Sequence, residues 1–254
     1  MHPILFHLGP ATIYSYGVAI AAAFFVGITL ASKRAKKEGL DPNKIIDLCF
    51  YILIAAIVGS RLLYVGINIS YFIKNPLDIF KLWQGGLVFY GGLIGAVIVA
   101  VLYLKKKRLP VWRVADLLAP SLALGQSIGR LGCFLAGCCY GKPTEGHWGV
   151  TFSDPDSLAP LHVSLHPTQL YSSFLDLAIF FALLYIQKIK KFQGQVFWTY
   201  LFLYSTGRFI IEFFRGDKRG FVFEGILSTS QFIGIFMFAL SIFMYLRGRS
   251  SSGT

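Results

Sequence analysis

The chain has 254 residues, of which 55% are hydrophobic and only 14% charged, and its mean hydropathy is +0.62. A soluble domain usually carries about a quarter charged residues, so this composition excludes an ordinary soluble enzyme and indicates a polytopic membrane protein. The net charge of +12 lies mostly in short connections between apolar runs. This distribution indicates topology signals and contacts with anionic lipids, and we expect no nucleic-acid partner.

Seven apolar segments follow one another along the chain, and each is near the ~20 residues that a helix needs to cross the hydrocarbon core. Because the runs are continuous and not alternating, they predict helices and not barrel strands. The fourth segment is the weakest, since Asp116, Pro120, Gln126 and Arg130 interrupt it. The predicted spans are residues 11–32, 45–68, 87–104, 114–131, 167–186, 195–214 and 226–246.

The basic residues predict the orientation of these spans. Fifteen of the 24 lysines and arginines fall after spans one, three and five or in the C-terminal tail, which is one side of a seven-span protein. By the positive-inside rule, the N-terminus is outside and the C-terminus is cytoplasmic. We therefore expect an all-α protein in which residues 1–249 form a single seven-span domain. We expect residues 132–166 to form a small cap on the outer side, and we expect residues 250–254 to be a disordered tail.

Residues 125–141, GQSIGRLGCFLAGCCYG, contain one arginine, three cysteines and five glycines. An arginine entering an apolar segment is costly in lipid and rarely idle, and glycines allow the backbone of another element to approach closely. The stretch therefore predicts a polar pocket where a helix ends at membrane depth.

Further charged residues lie in or beside the spans. Arg61 comes late in span two, and Arg208, Glu212 and Arg215 follow at i, i+4 and i+7, which predicts one shared helical face. Such a face must point to a protein interior or to water. Several arginines around one cavity would suit a phosphate, because the guanidinium fork matches its oxygens. Structural ion pairs, such as Glu212 with Arg208 or Arg130, are the alternative.

Other polar positions allow more than one interpretation. Tyr16 and Tyr90 place hydroxyls near the predicted outer face, where tyrosines often act as interfacial anchors. Gly91 and Gly92 lie in LVFYGGLIG, which also suits simple helix packing. His166 stands just before the proline that begins span five. It is a candidate proton acceptor, a lipid headgroup contact or an interfacial residue.

Three of the four cysteines form a C-x4-C-C pattern on the predicted outer side, and Cys49 lies alone in span two. The pattern, Cys133, Cys138 and Cys139, is not a standard zinc spacing. A disulfide, a metal site, packing thiols and a nucleophilic cysteine next to Arg130 all remain open at this point.

Several sequence pieces occur in a specific order. They are YSYG with Tyr16, GSRLLYV with Arg61, GGLVFYGGLIG, VADLLAP with Asp116, IGRLG with Arg130, YG at 140–141, HPTQLY and GRFIIEFFRGD. With these pieces the chain resembles the prolipoprotein diacylglyceryl transferases of the bacterial inner membrane over nearly its whole length. The resemblance implies seven spans with an outside N-terminus, which the charge distribution predicts independently.

The resemblance also implies the reaction and its setting. A diacylglyceryl transferase moves the sn-1,2-diacylglyceryl group from phosphatidylglycerol to the lipobox cysteine of a preprolipoprotein, forming a thioether and releasing glycerol phosphate. The family location is the bacterial cytoplasmic membrane, multi-pass, with the active site toward the outer leaflet. Expected partners are phosphatidylglycerol, preprolipoprotein signal peptides and membrane lipids, and we expect a monomer. Neither a metal nor an organic cofactor is implied.

Site roles follow in part from the same resemblance. Arg130 matches the family arginine that contacts the phospholipid, Arg208 and Glu212 match an essential pair, and Tyr16 and Gly141 match functional positions. The predicted catalytic residues are Tyr16, Tyr90, His166, Arg208 and Glu212. The predicted phospholipid-binding residues are Arg61, Gly91, Gly92, Arg130, Cys133 and Gly141.

The chain departs from the usual family pattern at several positions. Tyr90 replaces a histidine, which removes a base that titrates near neutrality. In the pattern GNFxNGExxG, Cys133 and Ala136 replace asparagines and Cys138 replaces the glutamate. The phosphate-binding half is therefore kept and the acid–base half is altered. Either His166, Tyr90 or the glutamate of span six handles the proton, or the chain is a divergent paralogue with another acceptor.

Two functions of other classes also compete. One is a membrane thiol-redox protein that uses Cys133, Cys138 and Cys139, although an exchange pair of the C-x-x-C type is absent. The other is a small transporter, which would more often show repeated halves.

Overall fold

The computed structural model describes residues 1–9, 11–217, 221–222 and 227–251. Within these ranges the chain is mostly helical, and seven of its helices have 18 residues or more, in the order of the seven predicted apolar segments. The helices are α1 (Ser15–Lys37), α2 (Pro42–Ile67), the short α3 (Ile69–Lys74), α4 (Phe89–Lys106), α5 (Val111–Ala136), α6 (Thr168–Ile189), α7 (Gln195–Glu212) and α8 (Thr229–Ser251).

Five helices in the described part of the chain are long and apolar enough to cross a membrane by length and composition. They are Ser15–Lys37, Pro42–Ile67, Phe89–Lys106, Thr168–Ile189 and Thr229–Ser250. The prediction of a polytopic helical membrane protein is confirmed at this level. The other two long helices, α5 and α7, contain the polar residues around Arg130 and Arg208, which lower their apolar character.

The chain divides into two compact units. One consists of Met1–Leu30 with Ala115–Thr254, and the other is Ala31–Val114. Both divisions fall inside helices, the first in α1 and the second in α5. The single seven-span domain over residues 1–249 stays a prediction.

In the unit Ala31–Val114, α2 and α4 pack in backbone contact. A Cβ added to Gly92 would lie 2.8 Å from the carbonyl oxygen of Ala56. Gly59 of α2 and Gly91 of α4 face each other so closely that a Cβ on either would collide with the other's backbone. This is the small-residue packing that brings helices together in lipid, where the hydrophobic effect does not drive helix association.

In the other unit, α5 is joined to α6 and α7 by buried polar contacts. Ser127 Oγ donates to Ser173 O and Ser173 Oγ donates to Ser127 O, both at 2.9 Å. Tyr200 OH donates to Gln126 Oε1 at 2.7 Å. Each of these groups finds a protein partner, which offsets the cost of burying it in α5.

The fully buried Asp116 of α5 caps the beginning of α7. Its carboxylate accepts the backbone N–H of Gly194 at 2.8 Å and of Phe197 at 3.0 Å, and Lys190 Nζ lies 3.7 Å from Oδ2. A carboxylate at a helix N-terminus satisfies unpaired N–H groups and is favoured by the helix dipole. The acidic residue that weakens the fourth predicted span is therefore a structural cap for α7.

The glycines of the stretch 125–141 also allow α5 to approach α1. A Cβ on Gly132 would lie 2.6 Å from Ala19 Cβ and 3.5 Å from Tyr16 Cα. One turn earlier, a Cβ on Gly129 would lie 3.4 Å from Ile20 Cδ1. The predicted close approach is confirmed, and its partner is the first half of α1.

Small two-stranded pairs lie outside the helices. Phe152, Ala159 and Leu165 form a small buried cluster in the connection between α5 and α6. α5 continues to Ala136, so this connection begins later than the predicted cap at 132. The antiparallel pairs are β1 (Ile4–Leu8) with β2 (Ala11–Tyr14), β3 (Val150–Thr151) with β4 (Ser164–Leu165), and β5 (Phe221–Val222) with β6 (Leu227–Ser228).

The C-terminal helix is longer than predicted. α8 continues through Ser251, so residues 250–251 of the predicted disordered tail are helical. The remaining part of that predicted tail, 252–254, lies outside the described residues.

Candidate functional site

Arg130 lies near the end of α5 and is half-buried. Within the described residues its guanidinium has neither a hydrogen-bond nor an ion-pair partner, and its electrostatic neighbours are Tyr204, Cys133, Cys139 and Asp176. An arginine side chain carries five N–H donors in a fixed fork. With respect to the described residues, these donors are therefore available for an anionic ligand.

Arg208 and Glu212 form an ion pair on the last turns of α7. Arg208 Nη1 contacts Glu212 Oε2, and their side chains are only 14% and 5% exposed. Arg208 Nη2 donates to Ser230 Oγ of α8 at 3.3 Å, whereas the buried Nη1 makes no well-directed hydrogen bond with any described residue. The pair predicted from the i, i+4 spacing is present, and Arg208 keeps donor capacity beyond it.

Asp176 links the two arginine positions. It lies on α6, is 2% exposed, and its carboxylate is within electrostatic range of both Arg130 and Arg208. This residue was not among the predicted site residues. An acidic residue inside a predicted span is itself a functional signal, so Asp176 could have been found from the sequence.

Arg215 does not share the helical face predicted for it. α7 ends at Glu212, and the backbone beyond it leaves the helix. The Arg215 side chain instead makes a bidentate pair with Asp217, with Nε at 3.1 Å from Oδ1 and Nη2 at 2.9 Å from Oδ2. Its guanidinium is therefore used mainly by a carboxylate two residues further along the chain.

Gly141 lies where backbone hydrogen bonds join three segments of the chain, those around residues 141, 166 and 214, and this set of hydrogen bonds is called the tie. Gly141 N donates to His166 O at 3.0 Å, His166 N donates to Lys142 O at 3.0 Å, and Lys142 N donates to Phe214 O at 2.8 Å. A Cβ on Gly141 would lie 2.5 Å from His166 Cβ and 2.8 Å from Phe214 O. Only glycine fits here, and the tie brings the start of α6 next to the segment after Glu212.

The His166 ring is enclosed by aromatic side chains. Its Nδ1 lies 3.2 Å from Tyr171 OH, and its ring centre is 5.5 Å from that of Phe214 in an edge-on arrangement. The structure therefore brings His166 together with Gly141, as the tie requires, and gives one imidazole nitrogen a hydroxyl partner.

Tyr16 stands at the beginning of α1 and is 43% exposed. Its electrostatic neighbours are Arg130 and all three cysteines of the C-x4-C-C pattern. The structure thus groups Tyr16, Arg130 and Cys133, which come from separate motifs, in one neighbourhood. The three thiols are free, and their sulfur atoms all lie within 4.8 Å of one another.

In the unit Ala31–Val114, the buried Arg61 organises the loop between α3 and α4. Its five hydrogen bonds use every guanidinium donor, because the side chain has five N–H groups. These contacts favour a structural role over the predicted phospholipid contact. The bonds are Nε to Ile79 O at 2.9 Å, Nη1 to Gly85 O at 2.6 Å and Gly86 O at 3.2 Å, and Nη2 to Asp78 O at 2.6 Å and Lys81 O at 3.3 Å.

The same loop carries a small polar cluster. Lys81 Nζ lies 2.6 Å from Asp78 Oδ1, and Tyr71 OH donates to Asp78 Oδ2 at 2.7 Å. These hydrogen bonds, that of Lys81 first, lower the pKa of the Asp78 carboxyl. The loop is therefore held by the Arg61 side chain, which donates to its backbone carbonyls, and by the charged cluster of Asp78 and Lys81.

The remaining predicted residues also belong to this unit. Tyr90 is half-buried, and its ring stands edge-on to Phe89 with 5.7 Å between the ring centres. Gly91 and Gly92 are buried in the contact with α2. Helix packing accounts for both glycines, while a phospholipid contact at these positions remains a prediction.

The five apolar helices define a helical membrane protein. The arginines of α5 and α7 both lie near the buried Asp176, and they form a basic site that suits an anionic ligand. The sequence model of the family described as prolipoprotein diacylglyceryl transferase matches residues 3–247 of the chain. The chain therefore belongs to the prolipoprotein diacylglyceryl transferase family, and the predicted resemblance is confirmed.

Similar proteins cover almost the whole chain. The phosphatidylglycerol–prolipoprotein diacylglyceryl transferase of Clostridium tetani is 46% identical over 96% of this chain and 97% of its own length. The second such transferase of Clostridium perfringens is 40% identical, with 95% and 94% covered. That of Geobacillus kaustophilus is 36% identical, with 97% and 92% covered. The similarity therefore includes both units.

Proposed function

We propose that the chain is a phosphatidylglycerol–prolipoprotein diacylglyceryl transferase. It transfers the sn-1,2-diacylglyceryl group from phosphatidylglycerol to the lipobox cysteine of a preprolipoprotein. The observation that carries this proposal is the family match over residues 3–247, across a chain whose Arg130 guanidinium has no described protein partner. An arginine of a long helix that has no hydrogen-bond or ion-pair partner among the described residues fits an anionic lipid headgroup better than a structural role.

The reaction exchanges one bond for another. A carbon–sulfur bond forms between the cysteine thiolate and the terminal glycerol carbon of the diacylglyceryl group. The bond from that carbon to the phosphate oxygen breaks, and glycerol phosphate leaves with the electron pair. Guanidinium groups already in position stabilise the charge that develops on the leaving phosphate, and Arg130 and Arg208 take this role. Holding the lipid and the peptide thiol together supplies proximity.

The thiol proton requires an acceptor, since the thiolate is the nucleophile. We assign it to Glu212, whose carboxylate lies against Arg208 and thus beside the proposed phosphate site. Tyr16, His166 and Tyr90 position the substrates or relay the proton. Cys133 lines the headgroup site beside Arg130, and Gly141 holds the backbone tie. Within the unit Ala31–Val114, Arg61 holds the loop before α4, and Gly91 and Gly92 allow the packing of α4 on α2.

The proposal includes seven spans with the N-terminus outside and the C-terminus in the cytoplasm, in the bacterial inner membrane. The lengths of α5 and α7, 26 and 18 residues, are sufficient for spans once their polar residues pair inside the protein. With this topology Tyr16, Arg130 and Glu212 all fall toward the outer leaflet. The protein acts as a monomer on phosphatidylglycerol and on the signal peptides of preprolipoproteins.

The test is complementation in cells depleted of their own transferase. We expect the mass of a reporter prolipoprotein to increase by one diacylglyceryl group when the chain is expressed. Arg208→Ala should abolish the increase, and Arg247→Ala, which removes an exposed arginine of α8, should leave it unchanged. An unmodified reporter at normal membrane levels of the chain would sink the proposal. Labelled diacylglyceryl on another acceptor would instead identify a divergent paralogue.

A further inference from the structure

The chain turns sharply after α5 and brings three thiols together. Gly137 has a φ of +74° and Cys139 a φ of +62°, so two of the three residues after Ala136 adopt the left-handed region. For a residue other than glycine this conformation is uncommon and persists only where surrounding contacts hold it. The two reversals return Cys138 and Cys139 toward Cys133, and the three sulfur atoms lie within 4.8 Å of one another.

Side chains of α6 hold this turn through its carbonyl groups. Thr168 Oγ1 donates to Cys139 O and Gln169 Nε2 donates to Cys138 O, both at 2.8 Å. Thr168 and Gln169 are each 1% exposed, so these are buried, fixed contacts. Gln169 Oε1 is also buried and has no hydrogen-bond partner among the described residues. Buried side chains of α6 therefore fix the turn in the shape that brings the three thiols together.

The spacing of the sulfur atoms matches that of ligands to one metal ion. Zinc–thiolate bonds of about 2.3 Å at tetrahedral angles place two sulfurs ~3.8 Å apart. The observed upper limit of 4.8 Å therefore requires a shift of about an ångström or less. A disulfide needs a sulfur–sulfur distance of about 2.05 Å and would leave the third thiol unused.

The charges around the cluster favour thiolates, which are the forms that bind metals. Arg215 and Arg130 are both electrostatic neighbours of the Cys139 thiol. A divalent ion with three thiolates carries one negative charge in total. Such a complex would offset part of the positive charge of the two arginines.

We propose that Cys133, Cys138 and Cys139 together bind one thiophilic divalent cation, and that Zn²⁺ is the expected ion. Three sulfur ligands select zinc over calcium or magnesium, which prefer oxygen. Among the described residues no fourth histidine, cysteine or carboxylate completes the group, so one coordination position stays open to water or another ligand. This site is additional to the reaction proposed above, for which the family resemblance implies no metal.

The test uses the full-length protein in detergent micelles, reduced and freed of metal. Titration with Co²⁺ should give a sulfur-to-cobalt charge-transfer absorption that saturates at one equivalent and disappears on addition of one equivalent of Zn²⁺. Cys139→Ser and Cys138→Ser should each weaken Co²⁺ binding at least 100-fold. Cys49→Ser, which removes the thiol in α2, should bind Co²⁺ like the unchanged protein.

Three results would overturn the proposal. One is the absence of the charge-transfer band in the unchanged protein. This result counts only when all four cysteines are shown to be reduced, by their reaction with a thiol reagent after unfolding. Another is the presence of a disulfide bond between two of the three cysteines, in protein whose free thiols were blocked at cell lysis to prevent later oxidation. The third is equal Co²⁺ affinity in Cys139→Ser and the unchanged protein. None of these results depends on diacylglyceryl transfer, so the metal site and the proposed function are tested separately.

Discussion

Arg61 of α2 and Arg130 of α5 both lie in long helices, yet the two units that contain them use the guanidinium group in opposite ways. In the unit Ala31–Val114, backbone carbonyls of one loop accept every N–H group of Arg61. In the other unit, Arg130 donates to no described residue, and Arg208 retains one buried nitrogen without a well-directed hydrogen bond.

The comparison shows that an arginine's position in a membrane protein does not determine its role. Burial of a charge is costly in either case, and the difference is how that cost is offset. Where the fold supplies five carbonyl acceptors, all the N–H groups of the arginine stabilise the fold itself. A fold that supplies none, or only one carboxylate nearby, keeps the donors for a ligand. The two cases predict opposite balances between lost activity and lost stability.

The largest expected effect is that of Arg130→Ala on activity. We expect the rate of diacylglyceryl transfer to fall by about 10²–10³-fold or more, because a preplaced donor to the leaving phosphate is lost. The thermal midpoint should change little, since no hydrogen bond or ion pair with a described residue is lost and Arg208 remains near Asp176. Initial rates with a prolipoprotein substrate and unfolding in the same detergent measure both quantities. A strongly lowered midpoint would show that Arg130 is structural and would remove the contrast.

Arg61→Ala should reverse this balance. Loss of the guanidinium group leaves several loop carbonyls without donors, and each buried unsatisfied group costs ~1–3 kcal/mol. Because water reaches part of the loop, we expect the free energy of unfolding to fall by about 2–4 kcal/mol in total. Limited proteolysis between α3 and α4 should become faster. Arg61→Lys should recover part of the stability with fewer donors. Unchanged stability with transfer abolished would make Arg61 a ligand of the phospholipid after all.

Gly92→Ala tests how strictly the unit Ala31–Val114 is built for packing. The added methyl meets the carbonyl of Ala56 at 2.8 Å, and overpacking of this kind costs about 1–3 kcal/mol in the free energy of unfolding. Gly66→Ala is the matched control, because Gly66 lies on α2, the helix against which α4 packs, and no described atom lies within 4 Å of the new Cβ. The control should be neutral or slightly stabilising. Equal effects of the two variants would contradict the packing assignment.

The smallest effect is expected at Asp78. Because its folded-state pKa is lowered, its contribution to stability is present above its unfolded pKa of about 4 and is lost as the pH falls through the lower folded value. Asp78→Asn should therefore lower the thermal midpoint slightly near neutral pH and not at all at strongly acid pH. A difference that persists unchanged in acid would mean that charge is not its source.

Much of the fold follows from composition and charge. The seven apolar segments match seven long helices in order, because ~20 apolar residues leave the backbone few other ways to satisfy its hydrogen bonds in lipid. The helix ends were less predictable. The predicted span 195–214 includes two residues beyond the end of α7 at Glu212, where the backbone instead pairs with residues 140–142. That pairing depends on a segment about 70 residues earlier in the chain, which local pattern does not reveal.

The site was predictable where its geometry is local. The i, i+4 spacing of Arg208 and Glu212 indicates their ion pair as one alternative, and the structure contains that pair. The role of Arg61 was not predictable, since its partners lie 17–25 residues away in an irregular loop. The convergence of the thiols depends on the left-handed backbone at Gly137 and Cys139, which the spacing alone does not specify.

The division of the chain has a consequence for how the protein is made. Ala31–Val114 is one continuous stretch, so the contact between α2 and α4 can form once residue 106 has left the ribosome. The contact of Gly132 with α1 must wait for α5, and the tie at Gly141 must wait for Phe214. During synthesis the first half of α1 therefore stays without its α5 partner while the unit Ala31–Val114 is made.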